Sequence, residues 1–260
     1  MLTNYHTHCD LCKHAEGNVE DYVKQAVKDG FDVLGMSDHV PYPDYDYGYR
    51  MEFAEIWDYI CDVRDAQKKY GGRLRILLGF ESEYMREYRG YYEELLDEYG
   101  VEYLILGQHF YDIKGYWNSA YNISDTAECV TYARSVSEGL DTGYYSLLAH
   151  PDIVGVNRLE WDRNMDEMSD IIINSAVKNG IPLEINANGV RRGTYVDSLG
   201  THFTYPHFRF WEKVAGSGAE VVISADCHNP ALLNDGDVEK CRELAKIWGL
   251  NVIDEIKVRK

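Results

Sequence analysis

Seven short apolar segments alternate along this 260-residue chain with longer stretches whose apolar residues recur at helical spacing, and that alternation most constrains the fold. The strand-like segments are Met1-Leu2, Phe31 to Met36, Leu74 to Leu78, Tyr103 to Leu106, Ser146 to Leu148, Pro182 to Ile185 and Val221 to Ile223. Between them, Asn18 reads as an N-cap, and Val19, Tyr22, Val23, Ala26 and Val27 share one helix face before Gly30 ends the run. Further helices are expected over Phe53 to Tyr70, Tyr91 to Tyr99 closed by Gly100, and Asp125 to Glu138 closed by Gly139. Two more are expected over Asp166 to Lys178 and Val238 to Trp248, the last ending at Gly249. Strands separated by helices make a parallel sheet with right-handed crossovers, and seven or eight such units suggest an α/β barrel. In a barrel the functional face lies at the C-terminal ends of the strands.

That is where the chemistry-bearing residues fall. Six of the nine histidines lie just past apolar segments, in His6-Thr7-His8, Ser37-Asp38-His39, Gln108-His109, Ala149-His150 and Asp226-Cys227-His228, while Gly79-Phe80-Glu81 adds a carboxylate. On an extended segment, residues two apart point the same way, so His6 and His8 can grip one ion from one face. Neutral imidazole and carboxylate are the usual ligands of zinc, manganese and iron, and a carboxylate can bridge two ions. A lone histidine beside a strand reads as a satisfied core or surface residue; six such ends in successive units read as a polynuclear metal site. His14 follows a loop. His202 and His207 lie among aromatics and read equally as packing or pocket residues.

Composition bounds the partners. A length of 260 residues with 45% hydrophobic content suits one large core, so residues 1–260 are expected to form a single domain. The formal charge of -18 disfavours a nucleic-acid binder, which needs basic surface. No apolar stretch is long enough to span a bilayer and no signal peptide is evident, so a reducing cytoplasm is expected. The six cysteines do not read as a disulfide scaffold. Cys9 and Cys12 have a Cys-x-x-Cys spacing that suits a redox or zinc pair, but they lack a second pair and sit inside the histidine constellation. Tyr42, Tyr45, Tyr47 and Tyr49, interleaved with Asp44 and Asp46, form a loop on the same side of the barrel. It reads first as packing and second as a receptor for an organic cation.

The ordered set of His6-Thr7-His8 with His14, Ser37-Asp38-His39, Gly79-Phe80-Glu81, Gly107-Gln108-His109-Phe110, His150-Pro151-Asp152 and Asp226-Cys227-His228 resembles the polymerase and histidinol phosphatase (PHP) family, from residue 4 to about residue 230. Ser37-Asp38-His39-Val40-Pro41 and the run from Glu184-Ile185-Asn186 through Gly189-Val190-Arg191-Arg192 resemble its histidinol-phosphate phosphatase branch. The resemblance implies a distorted (β/α)7 TIM-like barrel holding three divalent transition-metal ions (zinc, manganese or iron). On this pattern His6, His8, Glu81 and Asp226 hold one ion. Glu81 bridges to a second held by His109 and His150, and His14, His39 and His228 hold the third.

The activity implied is hydrolysis of a small phosphomonoester, foremost L-histidinol phosphate in histidine biosynthesis, by attack of a metal-bridging hydroxide. The alternative is another small phosphomonoester or a phosphotyrosine. Asp226, Glu81 and His228 are the expected catalytic residues, and Arg191, Arg192 and Arg158 the expected fork-shaped donors to phosphoryl oxygens. Two departures stand out: Ala225 precedes Asp226 where related phosphatases carry a serine, and Gly155-Val156-Asn157-Arg158 replaces a more basic run after His-Pro-Asp.

Overall fold

The structure, a computed structural model, describes residues 1–259. Eight strands form one parallel sheet: β1 (Thr3–Asn4), β2 (Val33–Met36), β3 (Arg75–Ser82), β4 (Tyr103–Leu106), β7 (Leu147–Leu148), β8 (Leu183–Asn186), β11 (Glu220–Ser224) and β12 (Asn251–Val252), paired in that order. Seven of them curl into the expected barrel, and β12 adds to the start of β11. Closure between β11 and β1 is thin. It consists of one parallel bridge from Thr7 to Cys227, with the His8 N–H donating to the Cys227 carbonyl at 3.1 Å and the Ala225 N–H to Asn4 Oδ1 at 2.6 Å.

The helices are α1 (Val19–Asp29), α2 (Ile56–Tyr70), α3 (Arg89–Asp97), α4 (Thr126–Leu140), α5 (Arg163–Asn179), α6 (Ala187–Arg191), α7 (Phe208–Ala215) and α8 (Gly236–Trp248). The capping signals act as expected at α1. Asn18 and Asp21 form a capping box, and Gly30 adopts the left-handed conformation at its end. Gly139, expected to close α4, lies inside it instead. A Cβ there would press on Leu106 and Tyr84, so this glycine serves close packing of the helix on the sheet.

The longest strand shows how the barrel sorts its side chains. Along β3, Ile76, Leu78 and Phe80 pack outward against the helices, whereas Leu77 joins a separate interior cluster with Tyr5, Val33, Tyr103, Ile105, Leu147 and Val222. The two-residue period therefore places Leu77, Gly79 and Glu81 on the inner face. Tyr103 fills the lower barrel, where it excludes any side chain at Gly35 or Gly79, and its hydroxyl donates to the Tyr5 carbonyl at 2.7 Å. Ile256, with Ile253 and Val258, covers this interior cluster, so the C-terminal segment closes the bottom of the barrel.

Four features were not expected from the sequence. Two antiparallel hairpins, β5 (Phe110–Ile113) with β6 (Tyr116–Ser119) and β9 (Thr194–Asp197) with β10 (Gly200–Phe203), interrupt the alternation. Each follows a strand end on the functional face. The third and fourth are the helices α6 and α7.

Candidate metal centre

All nine expected ligand residues converge at the C-terminal mouth of the barrel, where His8, His14, His39, Glu81, His109, His150, Asp226 and His228 line a cavity of about 280 Å³ and His6 lies just beneath. Glu81 reaches the centre because Gly107 leaves it room; a Cβ at Gly107 would collide with the Glu81 carboxylate. His150 and Asp226 end their strands in a left-handed backbone conformation, with φ of +28° and +42°. Such a conformation costs a non-glycine residue of order 1–3 kcal/mol and is concentrated where function fixes a side chain.

Four donor atoms form the tightest group. His6 Nε2 and His8 Nε2 are 3.1 Å apart, and they lie 3.4 and 3.6 Å from Glu81 Oε2 and 3.6 and 3.2 Å from Asp226 Oδ1. Donors held roughly 2.0–2.2 Å from one tetrahedral ion are separated by about 3.3–3.6 Å, so this spacing fits a single cation. The second Glu81 oxygen, Oε1, faces His150 Nε2 at 2.9 Å and His109 Nε2 at 3.5 Å. A third group lies toward the mouth, where His14 Nε2 is 2.9 Å from His228 Nε2 and the His14 and His39 rings stack with centroids 5.5 Å apart. His39 Nδ1 also faces Glu81 Oε2 at 2.9 Å.

The far side of these rings explains their orientation. His6 Nδ1 pairs with Glu184 Oε1 at 2.9 Å, His109 Nδ1 with Glu83 Oε1 at 2.9 Å and His8 Nδ1 with Asp38 Oδ1 at 3.3 Å. His14 Nδ1 bonds the Cys12 carbonyl at 2.8 Å. A donor bond from Nδ1 fixes the tautomer that leaves the Nε2 lone pair aimed inward, the arrangement that supports metal-bound imidazole.

Charge makes the same point. Asp38, Glu81, Glu83, Glu184 and Asp226 are all buried within this small volume, and one buried cation, Arg50, answers Glu83. Uncompensated buried charge costs several kcal/mol per ion, so this centre requires further positive charge. Burial opposes ionisation of Glu81 and Asp226, yet the surrounding histidines hold both well below the usual carboxylate range. Burial likewise opposes protonation of His8, but Asp226 and Asp38 push it up to about 9. Protons and metal ions compete for these electron pairs, and the chemistry of the donor set fits the ions.

The expected phosphate donors separate. Arg191 lines the cavity, but its guanidinium is committed: Nε and Nη2 pair with the Asp235 carboxylate at 3.0 Å each, Nη1 donates to the Ala225 carbonyl at 2.6 Å and Nη2 to the Leu232 carbonyl at 2.9 Å. Arg192 lines the cavity and, among the described residues, has only Nε engaged, by the Tyr205 hydroxyl at 3.0 Å. Arg158, expected to join them, is exposed and lies over the Tyr195 ring outside the cavity. It caps the turn at Ile153–Asn157, and this position faces the β9–β10 hairpin.

A second cavity of about 400 Å³ adjoins the first, lined by Tyr47, Tyr49, Phe110 and Tyr121 with Arg50 and Glu83. The tyrosine loop divides between core and cavity: Tyr42 is buried core, bonded to Glu83 Oε2 at 3.0 Å, while Tyr47 and Tyr49 form cavity wall. His202 and His207 are packing. His207 stacks on Trp161, and His202 is held by Asp197 at 3.0 Å. Cys9 and Cys12 are buried free thiols, and burial with the nearby Asp38 pushes both above the usual thiol range, which disfavours a reactive thiolate.

Asp38, Glu83, Glu184, Asn188, Tyr121 and Tyr205 were not read from the sequence as site residues. Glu83 had a signal in its two-residue spacing from Glu81 on one strand face, and Asp38 in its adjacency to His39. Tyr121 had none, because the hairpin that delivers it was not legible.

Comparison with known proteins agrees with this geometry. A probable histidinol-phosphatase of Deinococcus radiodurans is 24% identical over an alignment of 262 residues, covering 96% of this chain and 95% of the relative. The histidinol-phosphatase of Bacillus subtilis is 23% identical over 223 residues, covering 75% and 83%. Among solved structures, the histidinol phosphate phosphatase of Lactococcus lactis, complexed with zinc, L-histidinol and phosphate, shares the fold with a TM-score of 0.70 at 16% identity, covering 97% of this chain and 95% of its own. The PHP domain model matches residues 4–188, more than half of the sequence and the stretch that carries seven of the nine converging residues, and the chain belongs to the PHP domain family.

Proposed function

We propose that this chain is a metal-dependent phosphomonoesterase that hydrolyses L-histidinol phosphate to L-histidinol and phosphate, the reaction for which its relatives are named. The observation that carries the reading is the pair of imidazole nitrogens, His6 Nε2 and His8 Nε2, each 3.1–3.6 Å from the other and from Glu81 Oε2 and Asp226 Oδ1, with the second oxygen of Glu81 reaching two further imidazoles. His6, His8, Glu81 and Asp226 are assigned to one ion, Glu81, His109 and His150 to a second, and His14, His39 and His228 to a third. Zinc is favoured by the imidazole-rich set; manganese and iron share the same preferences. When bound, such ions supply Lewis acidity and draw the pKa of coordinated water toward neutrality.

The chain's own residues do the rest. Arg192 offers its unengaged Nη groups to phosphoryl oxygens at the cavity edge. Asn188 donates to Asp226 Oδ2 at 3.3 Å and Asn186 to the same oxygen at 2.9 Å, which fixes the carboxylate that faces His8. Arg191, bound to Asp235 and two carbonyls, acts as a strut that holds the β11 end where Asp226 stands. The aromatic second cavity takes the organic fragment, with tyrosine and phenylalanine faces suited to a planar or cationic ring. We take residues 1–260 as one catalytic domain, since the site draws on positions from His6 to His228 and the C-terminal segment closes the barrel.

A small phosphorylated metabolite as substrate, rather than a nucleic acid, agrees with the acidic balance, and six free thiols agree with a reducing cytoplasm. No helix among the described residues is long and apolar enough to cross a membrane. The test is phosphate release from a panel of phosphomonoesters, histidinol phosphate included, after reconstitution with zinc, manganese or iron. A clear preference for histidinol phosphate is expected. A flat profile would reduce the reading to a general phosphatase, and no release at all would end it.

A further inference from the structure

The two cavities meet at a neck, and the residues that line both are His14, His39, His109, Tyr121 and Arg192. On the phosphatase reading, the phosphoryl group occupies the metal cavity and the organic fragment the aromatic one. The ester oxygen that joins them must then lie in the neck. Its departure as an alkoxide needs a proton. The three imidazoles are assigned to ions, so their inward lone pairs are taken. Arg192 is a guanidinium, which does not release a proton in proteins. That leaves one group.

We propose that Tyr121 is the proton donor to the leaving oxygen. Water-derived oxygen forms a new bond to phosphorus while the bond from phosphorus to the ester oxygen breaks. The electron pair of that broken bond stays on the ester oxygen, which takes the Tyr121 hydroxyl proton, and the phenolate regains a proton from solvent. Three observations place Tyr121 for this. Its hydroxyl makes no hydrogen bond among the described residues. Its residue is 40% exposed, so solvent reaches it for reprotonation. Its backbone is fixed: the Ala120 N–H donates to the His109 carbonyl at 2.8 Å, Asn157 Nδ2 donates to the Ala120 carbonyl at 2.8 Å, and the Tyr121 N–H donates to Ser119 Oγ at 3.3 Å. The Tyr121 ring consequently lies parallel to the His109 ring, with an interplanar angle of 7° and centroids 6.1 Å apart.

Burial pushes the Tyr121 phenol above its ordinary range, against the pull of Arg192, so it carries its proton at neutral pH and is a useful acid only toward strongly basic leaving groups. The experiment compares histidinol phosphate, whose alkoxide needs a proton, with p-nitrophenyl phosphate, whose phenolate does not. Tyr121→Phe should lower the alkyl-to-aryl ratio of kcat/KM by about 100-fold or more, within the usual range for general acid catalysis, with bound metal unchanged by elemental analysis. An unchanged ratio, whether both rates fall together or neither falls, overturns the assignment; so does a fall in bound metal that accounts for the loss. If the wild-type protein releases phosphate from neither ester, the phosphatase reading itself has failed and this inference falls with it.

Discussion

The two adjoining cavities are built by different means. The metal cavity stands mainly on strand ends, with His14 added from a loop, and His6, His8 and His109 are locked from behind by buried carboxylates at 2.9–3.3 Å. The aromatic cavity stands on loops and a hairpin, with Tyr47 and Tyr49 from the segment between β2 and α2 and Phe110, Ser119 and Tyr121 from in and around β5 and β6. Arg50 and Glu83 link the two, for Glu83 turns one oxygen to Arg50 at 3.3 Å and to His109 at 2.9 Å. The comparison teaches a division of labour. Rigid strand ends carry the chemistry, and adaptable loops select what is brought to it.

The largest expected effect tests the rigid half. Asp226→Asn keeps shape and removes charge, so activity should fall by at least about 100-fold, the scale expected when an electrostatic stabiliser is lost. Circular dichroism should show the barrel intact, because the change lies on the functional face. Near-normal turnover in a folded variant would break the assignment at this strand.

Neighbouring arginines sharpen the boundary between the halves. Arg192→Met should lower kcat/KM by about 1.5–3 kcal/mol, the worth of hydrogen bonds to a charged group, and leave the urea midpoint near that of the wild type. Arg191→Met should do the reverse, lowering stability by about 1–3 kcal/mol as Asp235 and two carbonyls lose their donor, with a smaller loss in kcat/KM. Equal behaviour of the two variants would erase the distinction drawn from their hydrogen bonds.

The smallest effect is a pH dependence at the same strut. Burial opposes the Asp235 charge, but Arg191 and the first N–H groups of α8 hold its carboxyl below the usual carboxylate range. A folded pKa below the unfolded value of about 3.9 gives stability that is present above that value and lost as pH falls through the folded pKa. In metal-free protein, the stability difference between wild type and Arg191→Met should therefore be larger at pH 6 than at pH 3. Urea midpoints that differ by the same amount at both pH values would show that the ion pair contributes nothing.

Much of the rigid half was legible in the sequence. Period-two spacing placed His6 with His8, and the alternation of strands and helices put eight of the nine ligand candidates at one end of a barrel, because a parallel strand always delivers its C-terminal residues to the same face; His14, on a loop, came only with the family resemblance. Arg158 was misplaced because sequence proximity to the His-Pro-Asp run says nothing of which way the Ile153–Asn157 turn sends its cap. Arg191 and Arg192 are indistinguishable as letters, and only the approach of Asp235, 44 residues away, commits one guanidinium and leaves its neighbour open.

By itself, then, the sequence determined the seven parallel strands of the barrel, the face that acts and the donor atoms available there, since these follow from local periodicity and residue chemistry. The tertiary structure decided which carboxylates back which imidazoles, which of two cavity-lining arginines keeps free donors, and that a hairpin carries Tyr121 to the neck. Those are contacts between residues such as His6 and Glu184, 178 positions apart, and no local pattern encodes a pairing across that distance.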